Sequence, residues 1–240
     1  MFLPHSSPFW DRFESFAQAA ADDVGLQLQV HHAQLSTERM LKQVQTAATD
    51  GVDAILFMEF QGVGETILQI AEQHKIPALL FNTRLDDQSR LPRVHYKYWL
   101  GGVVPNDKEA GVRLITHLLN SAENKGVRSF QVLAYSGRIE SRAHARRFEG
   151  LKSVVDTRPD VRLVEALPDS ADAPAPAIRF EQALAKHPDI NIVWSHHDQH
   201  ALAAATHYQQ LSETEPIVFG GIDWTPEAIN GTAENVLDIN

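Results

Sequence analysis

The stretch INIVWSHHDQHALAAATHYQQL, from Ile190 to Leu211, changes character twice along its length. The run INIVW (190–194) is short, apolar and rich in β-branched residues, which predicts a buried strand. The run HALAAATHYQQL (200–211) has the length and composition of a helix. Between the two lie three histidines and an aspartate, which are His196, His197, Asp198 and His200. The stretch therefore predicts a strand–loop–helix unit whose polar residues directly follow the strand.

The same alternation of strand and helix patterns runs along the rest of the chain. Further strands are predicted at LQLQV (26–30), DAILF (53–57), PALLF (77–81), SFQVLAY (129–135), VRLVEAL (161–167) and PIVFGGI (216–222). Helical patterns of about 10–15 residues separate most of them, which is typical of βαβ units and parallel sheets in an α/β fold. Met1-Phe2-Leu3 is apolar but is expected to be too short for a core strand. Residues 84–105 carry no clear helix, and a crossing between two lobes is predicted near Gly101–Pro105.

The composition excludes several classes of function. The 240 residues carry 31 acidic and 21 basic side chains, a net charge of −10, and the basic residues form no dense run. A nucleic-acid partner is therefore not expected. The chain has no cysteine, which excludes disulfides and thiolate metal sites. No apolar run approaches the roughly 20 residues of a membrane helix.

Polar and aromatic residues collect directly after the predicted strands. In open parallel sheets, ligands bind beyond the carboxyl ends of the strands. The side chains found there include hydroxyl, amide, imidazole, carboxylate and indole groups, a set that suits a neutral, hydroxyl-rich small molecule. For any single position, a local turn or helix cap is the alternative interpretation.

Seven segments, in the same order along the chain, resemble one family. They are SSPFW (6–10), DGVDAILF (50–57), HKIPALLFNT (74–83), VPNDKEAG (104–111), RRFEGL (146–151), HPDINIVWSHHDQHALAA (187–204) and GGIDWTPEAINGT (220–232). The chain resembles the type I periplasmic solute-binding proteins of the ribose/galactose-binding class, which share their fold with the effector cores of lactose-repressor-like regulators.

The resemblance implies a fold of two Rossmann-like lobes with parallel sheets joined by a hinge. Residues 1–103 would form the N-terminal lobe without its last crossover, and residues 104–234 the C-terminal lobe. Residues 235–240 would be a hinge strand that returns toward the N-terminal lobe. The family's closing C-terminal segment is expected to be missing.

The resemblance also implies which residues contact a ligand. Matching the family's motifs position by position, and adding the tryptophan after the last strand, gives Ser7, Phe9, Trp10, Asn82, Arg147, His197, Asp223 and Trp224. Three of these depart from the family's pattern. Asn82 replaces a carboxylate, His197 replaces an amide, and Trp224 replaces a glycine. The family's sugar specificity is therefore not transferred to this chain.

The implied function is reversible binding of a small, sugar-like ligand in an interlobe cleft by a periplasmic monomer. The protein would deliver the ligand to a membrane permease of an ABC-type transporter, without catalysis and without a cofactor. Two alternatives are a binding protein that signals to a membrane receptor kinase and the effector-binding core of a transcriptional repressor.

A metal or catalytic site at the histidine cluster is the remaining possibility. His196 and His200 are spaced i, i+4, which suits metal ligands on one helical turn. His196 precedes the helix, however, and no third ligand stands out, although Asp223 is a candidate to approach. The chain has no G-x-S-x-G motif and no phosphate-binding glycine loop. Neither a metal nor a catalytic residue is therefore predicted.

Overall fold

The computed structural model describes residues 1–138, 141–170, 172–211 and 215–239. The chain divides into two compact units, Met1–Pro105 and Asn106–Asn240. Each unit contains a parallel sheet with helices, which confirms the predicted α/β class. Among the described residues, no helix combines the length and apolar character that crossing a bilayer requires.

The first unit contains a five-stranded parallel sheet. Its strands are β1 (Phe2–Leu3), β2 (His31–His32), β3 (Ile55–Phe57), β4 (Ala78–Phe81) and β5 (Trp99–Val103), in the order β2-β1-β3-β4-β5. Its helices are α1 (Pro8–Asp23), α2 (Thr37–Thr49) and α3 (Gly64–His74). One buried cluster packs on the side of α2 and α3, and another packs on the side of α1, so both faces of the sheet are covered.

The first strand corrects the expectation that residues 1–3 are too short for a core strand. Phe2 and Leu3 are buried, and β1 lies between β2 and β3 in the sheet. Two residues are sufficient because both neighbours bond to them: Phe2 is in register with His31 on one side and with Phe57 on the other. Burial by the flanking strands and helices therefore compensates for the short length.

The second strand is shorter than predicted and lies later in the chain. The alternating run 26–30 is not a strand, and β2 contains only His31 and His32. This edge strand pairs only with β1, which begins at Phe2. Leu26 has no β1 residue opposite it and is exposed. The availability of a partner, rather than the apolar alternation, sets the extent of β2.

A strand not predicted from the sequence ends the first unit. β5 pairs in parallel with β4 along the other edge of the sheet. Its sequence, WLGGV, contains two glycines, which weaken a strand pattern. Trp99 is the one buried residue of the strand and packs in the core of this unit.

The second unit contains a four-stranded parallel sheet. Its strands are β6 (Phe130–Gly137), β7 (Val161–Pro168), β8 (Ile192–Ser195) and β9 (Val218–Gly220), in the order β7-β6-β8-β9. Its helices are α4 (Asp107–Asn124), α5 (Arg142–Val155), α6 (Pro176–Lys186), α7 (Asp198–Gln210) and α8 (Pro226–Ala233). Each predicted strand of this unit is present, with ends shifted by a few residues.

The central strand of this sheet is buried on both faces. Val132 and Ala134 of β6 pack in the cluster that contains α4 and α5, whereas Leu133 and Tyr135 pack in the cluster that contains α6 and α7. Successive side chains of a strand point to opposite faces, so a strand covered on both sides is apolar throughout. This three-layer arrangement explains the apolar run VLAY (132–135) in the sequence.

The last described residues run beside β9. Ile239 forms a parallel bridge with Gly220, and the Asp238 backbone nitrogen donates to the Phe219 carbonyl at 2.9 Å. The assignment of residues 235–240 to a hinge strand remains a prediction.

Candidate functional site

The polar residues that follow the strands of the second unit share one edge of its sheet. Asp169 follows β7, His196 and His197 follow β8, and Asp223 comes three residues after β9. The strands run parallel, so their carboxyl ends meet at this edge, where α/β proteins usually bind ligands. His196, His197 and Asp223, which the sequence places after predicted strands, therefore share this edge with Asp169.

Arg147 connects three segments at this edge. It extends from α5, and its Nε donates to Asp107 Oδ1 at 3.0 Å. Its Nη1 donates to the His196 carbonyl at 2.7 Å and to Asp223 Oδ1 at 2.9 Å. The arginine side chain is only 13% exposed. Arg147 and Asp223, both predicted as ligand contacts, are thus brought together, with Asp107 as a partner that the sequence argument did not include.

The close approach of α4 and α5 positions this arginine. A Cβ atom on Gly111 of α4 would lie 1.9 Å from the Arg147 carbonyl oxygen, and one on Gly150 of α5 would lie 2.1 Å from the Lys108 carbonyl oxygen. The two helices therefore pack backbone against backbone at two glycines. This contact brings Asp107, the first residue of α4, within reach of Arg147.

His197 lies between two carboxylates. Its Nε2 is 3.4 Å from Asp223 Oδ2, and its Nδ1 is 3.3 Å from Asp198 Oδ1. Burial lowers the pKa of His197, but hydrogen bonding and charge from the two aspartates outweigh it and raise the pKa above its ordinary value. Nδ1 also lies 3.1 Å from the Gln199 backbone nitrogen, the N-cap contact of α7. The two contacts need opposite protonation of Nδ1.

Burial also shifts the pKa of Asp223, an acidic partner of His197. It raises the pKa of Asp223, and the positive charges of Arg147 and His197 oppose this effect. The group as a whole offers cationic donors and carboxylate acceptors at a half-buried edge. A small molecule with several hydroxyl groups can both donate to and accept from such an edge.

The segment that carries Asp223 is fixed to the start of α7. Asp198 is fully buried, and its Oδ2 accepts from the Thr225 backbone nitrogen at 2.7 Å. Asp223 and Trp224 have φ angles of 125° and 57°, in the left-handed half of conformational space. Trp224 directs its ring outward and is 64% exposed.

A second cluster at the same edge consists of histidines. The rings of His144 and His196 are stacked with centroids 4.0 Å apart, and His200 lies 5.2 Å from His196. Burial, followed by the charge of Arg147, lowers the pKa of His144 to about 4. Burial and the neighbouring histidines likewise lower the pKa of His196.

Asp169 completes this cluster and was missed by the sequence argument. Its Oδ2 is 3.0 Å from His196 Nε2 and 3.8 Å from His200 Nδ1. A signal for it is present, because Asp169 follows the predicted strand 161–167 as the other polar residues follow theirs. Within the described part of the chain, Asp169, His196 and His200 form the group that could hold a metal ion.

The candidate residues of the first unit have mainly structural contacts. The Ser7 hydroxyl caps α1 by accepting from the Trp10 backbone nitrogen at 3.3 Å, as the local alternative for this position expects. Trp10 is 6% exposed and packs edge-on against Phe9 and Phe81. Asn82 directly follows β4 with a φ of 63°. Their contact with a ligand remains a prediction.

Comparison with known proteins identifies the family. The sequence profile of a periplasmic binding protein domain matches residues 1–239. The chain belongs to the periplasmic binding protein family. This periplasmic binding protein is 23% identical over 234 residues to the ribose import binding protein RbsB of Salmonella typhimurium, covering 97% of the chain and 74% of that relative.

Solved structures agree with this assignment. The periplasmic binding protein superposes on a periplasmic sugar-binding protein from Pseudomonas fluorescens with a TM-score of 0.83 and 26% identity, over 99% of this chain and 73% of the other. A periplasmic solute-binding protein of an ABC transporter from Actinobacillus succinogenes was solved with D-allose. It gives a TM-score of 0.84 at 19% identity, over 98% of this chain and 82% of the other. The resemblance seen in the sequence segments is thus confirmed.

Proposed function

We propose that this periplasmic binding protein binds a small, hydroxyl-rich ligand of the sugar class and passes it to a membrane permease of an ABC-type transporter. It acts in the periplasm as a monomer, needs no nucleic acid, and leaves the ligand chemically unchanged. The ligand contacts are the eight residues inferred from the family pattern, with Arg147, His197 and Asp223 at their centre.

One observation carries this proposal. Arg147, His197 and Asp223 come from three separate segments and converge at the carboxyl edge of the sheet in the second unit. Sugar hydroxyls need donors and acceptors side by side, and hydrogen bonds to charged groups contribute about 1.5–3 kcal/mol each. Relatives whose names record ribose import and bound D-allose support the choice of ligand class.

The aromatic residues have separate roles in the proposal. Trp224 is exposed at the same edge and offers a ring face for the apolar side of a sugar. Trp10 and Phe9 pack beside Phe81, the residue before Asn82, so their packing supports the position of that amide.

A thermal-shift screen of single sugars tests the ligand class. A sugar at about 100 times its dissociation constant stabilises the folded protein by about 2.7 kcal/mol, because it binds only the native state. We expect a rise in melting temperature of about 5–10 °C for the cognate sugar. Ribose, arabinose, allose and fructose are compared at one concentration. A uniform small rise with every sugar would reflect general exclusion from the surface and would contradict specific binding.

Trp224 provides a mutation that separates binding from folding. We expect Trp224→Ala to change the free energy of unfolding by less than about 0.5 kcal/mol, because the ring is mostly exposed. Loss of stacking, about 0.5–1.5 kcal/mol, should weaken binding of the sugar found in the screen by about 2–10-fold. Calorimetry measures the affinity. Val94→Ala, which removes another exposed apolar side chain, is the matched control. Equal affinity of Trp224→Ala and wild type would remove Trp224 from the site.

The partner is tested with the ligand-loaded protein. Stimulation of ATP hydrolysis by a permease in membrane vesicles supports the transport role. Stimulation of a receptor kinase instead would support the signalling alternative and contradict delivery to a transporter.

A further inference from the structure

Three side chains that can ligate a metal converge in the second unit. Asp169, His196 and His200 each offer one ligand atom, and these atoms lie within 4.8 Å of one another. Asp169 Oδ2 is 3.0 Å from His196 Nε2 and 3.8 Å from His200 Nδ1. Atoms that bind one cation at about 2.0–2.2 Å are themselves about 3.0–3.5 Å apart. A small movement of side chains would therefore bring the three atoms to coordination distance.

The histidines have nitrogens that the protein leaves unsatisfied. His200 Nδ1 is buried and has no hydrogen-bond partner among the described residues. Its 3.8 Å separation from Asp169 is too long for a hydrogen bond. A buried polar atom without a partner costs about 1–3 kcal/mol. A cation between His200 and Asp169 would give His200 Nδ1 a partner.

A buried arginine orients the carboxylate. Arg179 Nη1 donates to Asp169 Oδ1 at 3.0 Å, and its Nη2 donates to the Pro168 carbonyl at 2.8 Å. The arginine is therefore held by the end of β7 and fixes the plane of the carboxylate. Oδ2 of Asp169 is therefore directed at the histidines. Residues that hydrogen-bond to metal ligands commonly orient them in this way.

We propose that the second unit binds one divalent transition-metal cation through Asp169 Oδ2, His196 Nε2 and His200 Nδ1. Two imidazoles and one carboxylate favour Zn²⁺, Ni²⁺, Co²⁺ or Cu²⁺ over Mg²⁺ and Ca²⁺, which prefer oxygen ligands. The cation would join the end of β7 to the end of β8 and the first turn of α7. The metal site is distinct from the proposed sugar contacts, although the His196 carbonyl also accepts from Arg147.

Titration of chelator-treated protein with Ni²⁺ or Zn²⁺ tests the site by calorimetry. We expect one saturable site in wild type and a weakening of about 100-fold or more in His200→Ala, because loss of outer partners alone costs about 10–100-fold. His207→Ala is the matched control, since His207 lies on the same helix and pairs with another carboxylate, Glu181. The control should bind like wild type, and Mg²⁺ should show no saturable binding.

A second variant keeps the test valid if His200→Ala is poorly folded. Asp169→Asn retains the shape of the side chain and an oxygen for Arg179, and it too should lose Ni²⁺ binding. Circular dichroism establishes that each variant is folded. Ni²⁺ should raise the melting temperature of wild type and of His207→Ala only. The absence of saturable binding in wild type, or equal binding by wild type, His200→Ala and Asp169→Asn, would overturn the proposal.

Discussion

Replacing Gly111 by alanine should lower the free energy of unfolding by about 3 kcal/mol, at the upper end of the cost of overpacking. The added methyl group would lie 1.9 Å from the Arg147 carbonyl oxygen, well inside van der Waals contact. The obstructing atom belongs to the backbone of α5, so no change of rotamer can relieve the overlap. The two helices must separate, and that separation also moves Arg147 away from Asp107.

Urea denaturation of Gly111→Ala and wild type measures this effect. His117→Ala, an exposed substitution on the same helix, is the control and should change stability by less than about 0.5 kcal/mol. Sugar affinity should fall together with stability in Gly111→Ala, because the arginine is displaced. Wild-type stability in Gly111→Ala would show that the close contact between the two helices is not present in solution.

Removing the guanidinium of Arg147 should cost about 3–5 kcal/mol of stability and abolish sugar binding. Arg147→Met keeps most of the side-chain volume but leaves Asp107 and Asp223 without their shared cation. Both carboxylates are largely buried. Removing one member of a buried ion pair is strongly destabilising, because the remaining buried charge has lost its partner.

A second substitution distinguishes lost charge compensation from lost packing. Adding Asp223→Asn to Arg147→Met removes one of the uncompensated charges, so the double variant should be more stable than Arg147→Met alone. Arg146→Met is the matched control, because the neighbouring arginine is exposed and its pair with Glu149 contributes little. A double variant that is less stable than the single one would contradict the charge argument. Unfolding is followed in urea, and sugar binding is measured at a temperature where each variant is folded.

The inner strands of the second unit, β6 and β8, were predictable because both of their faces are covered. Such strands appear in the sequence as short apolar runs, and 129–135 and 190–194 were placed correctly. The edge strand β7 also matches the predicted run 161–167, although most of its residues are half-buried or exposed. The first unit was less predictable. β1 has only two residues, and the extent of β2 depends on its pairing with β1. The sequence of either segment alone therefore does not show where the strand begins and ends. Pairing between strands that are distant in the sequence sets the bounds of β1 and β2.

The site was predictable where a residue lies at a strand end and not where it depends on packing between helices. His197 and Asp223 follow strands, and the family resemblance selects both of them. Asp107 was missed because its contact with Arg147 needs the close approach of two helices at glycines. Asp169 was missed although it follows a strand, because it begins the Ala- and Pro-rich stretch DSADAPAPA (169–177), a composition typical of a surface loop.

The backbone conformation at Trp224 bears on the role of its indole ring. A φ of 57° is a conformation that glycine adopts freely and a bulky side chain adopts at a cost of about 1–2 kcal/mol. The family pattern that the chain resembles has glycine at this point, and glycine fits the same backbone without that cost. A tryptophan there gains little from burial in its own unit. Under the proposed function, contact between the exposed indole and the ligand offsets the cost of this conformation.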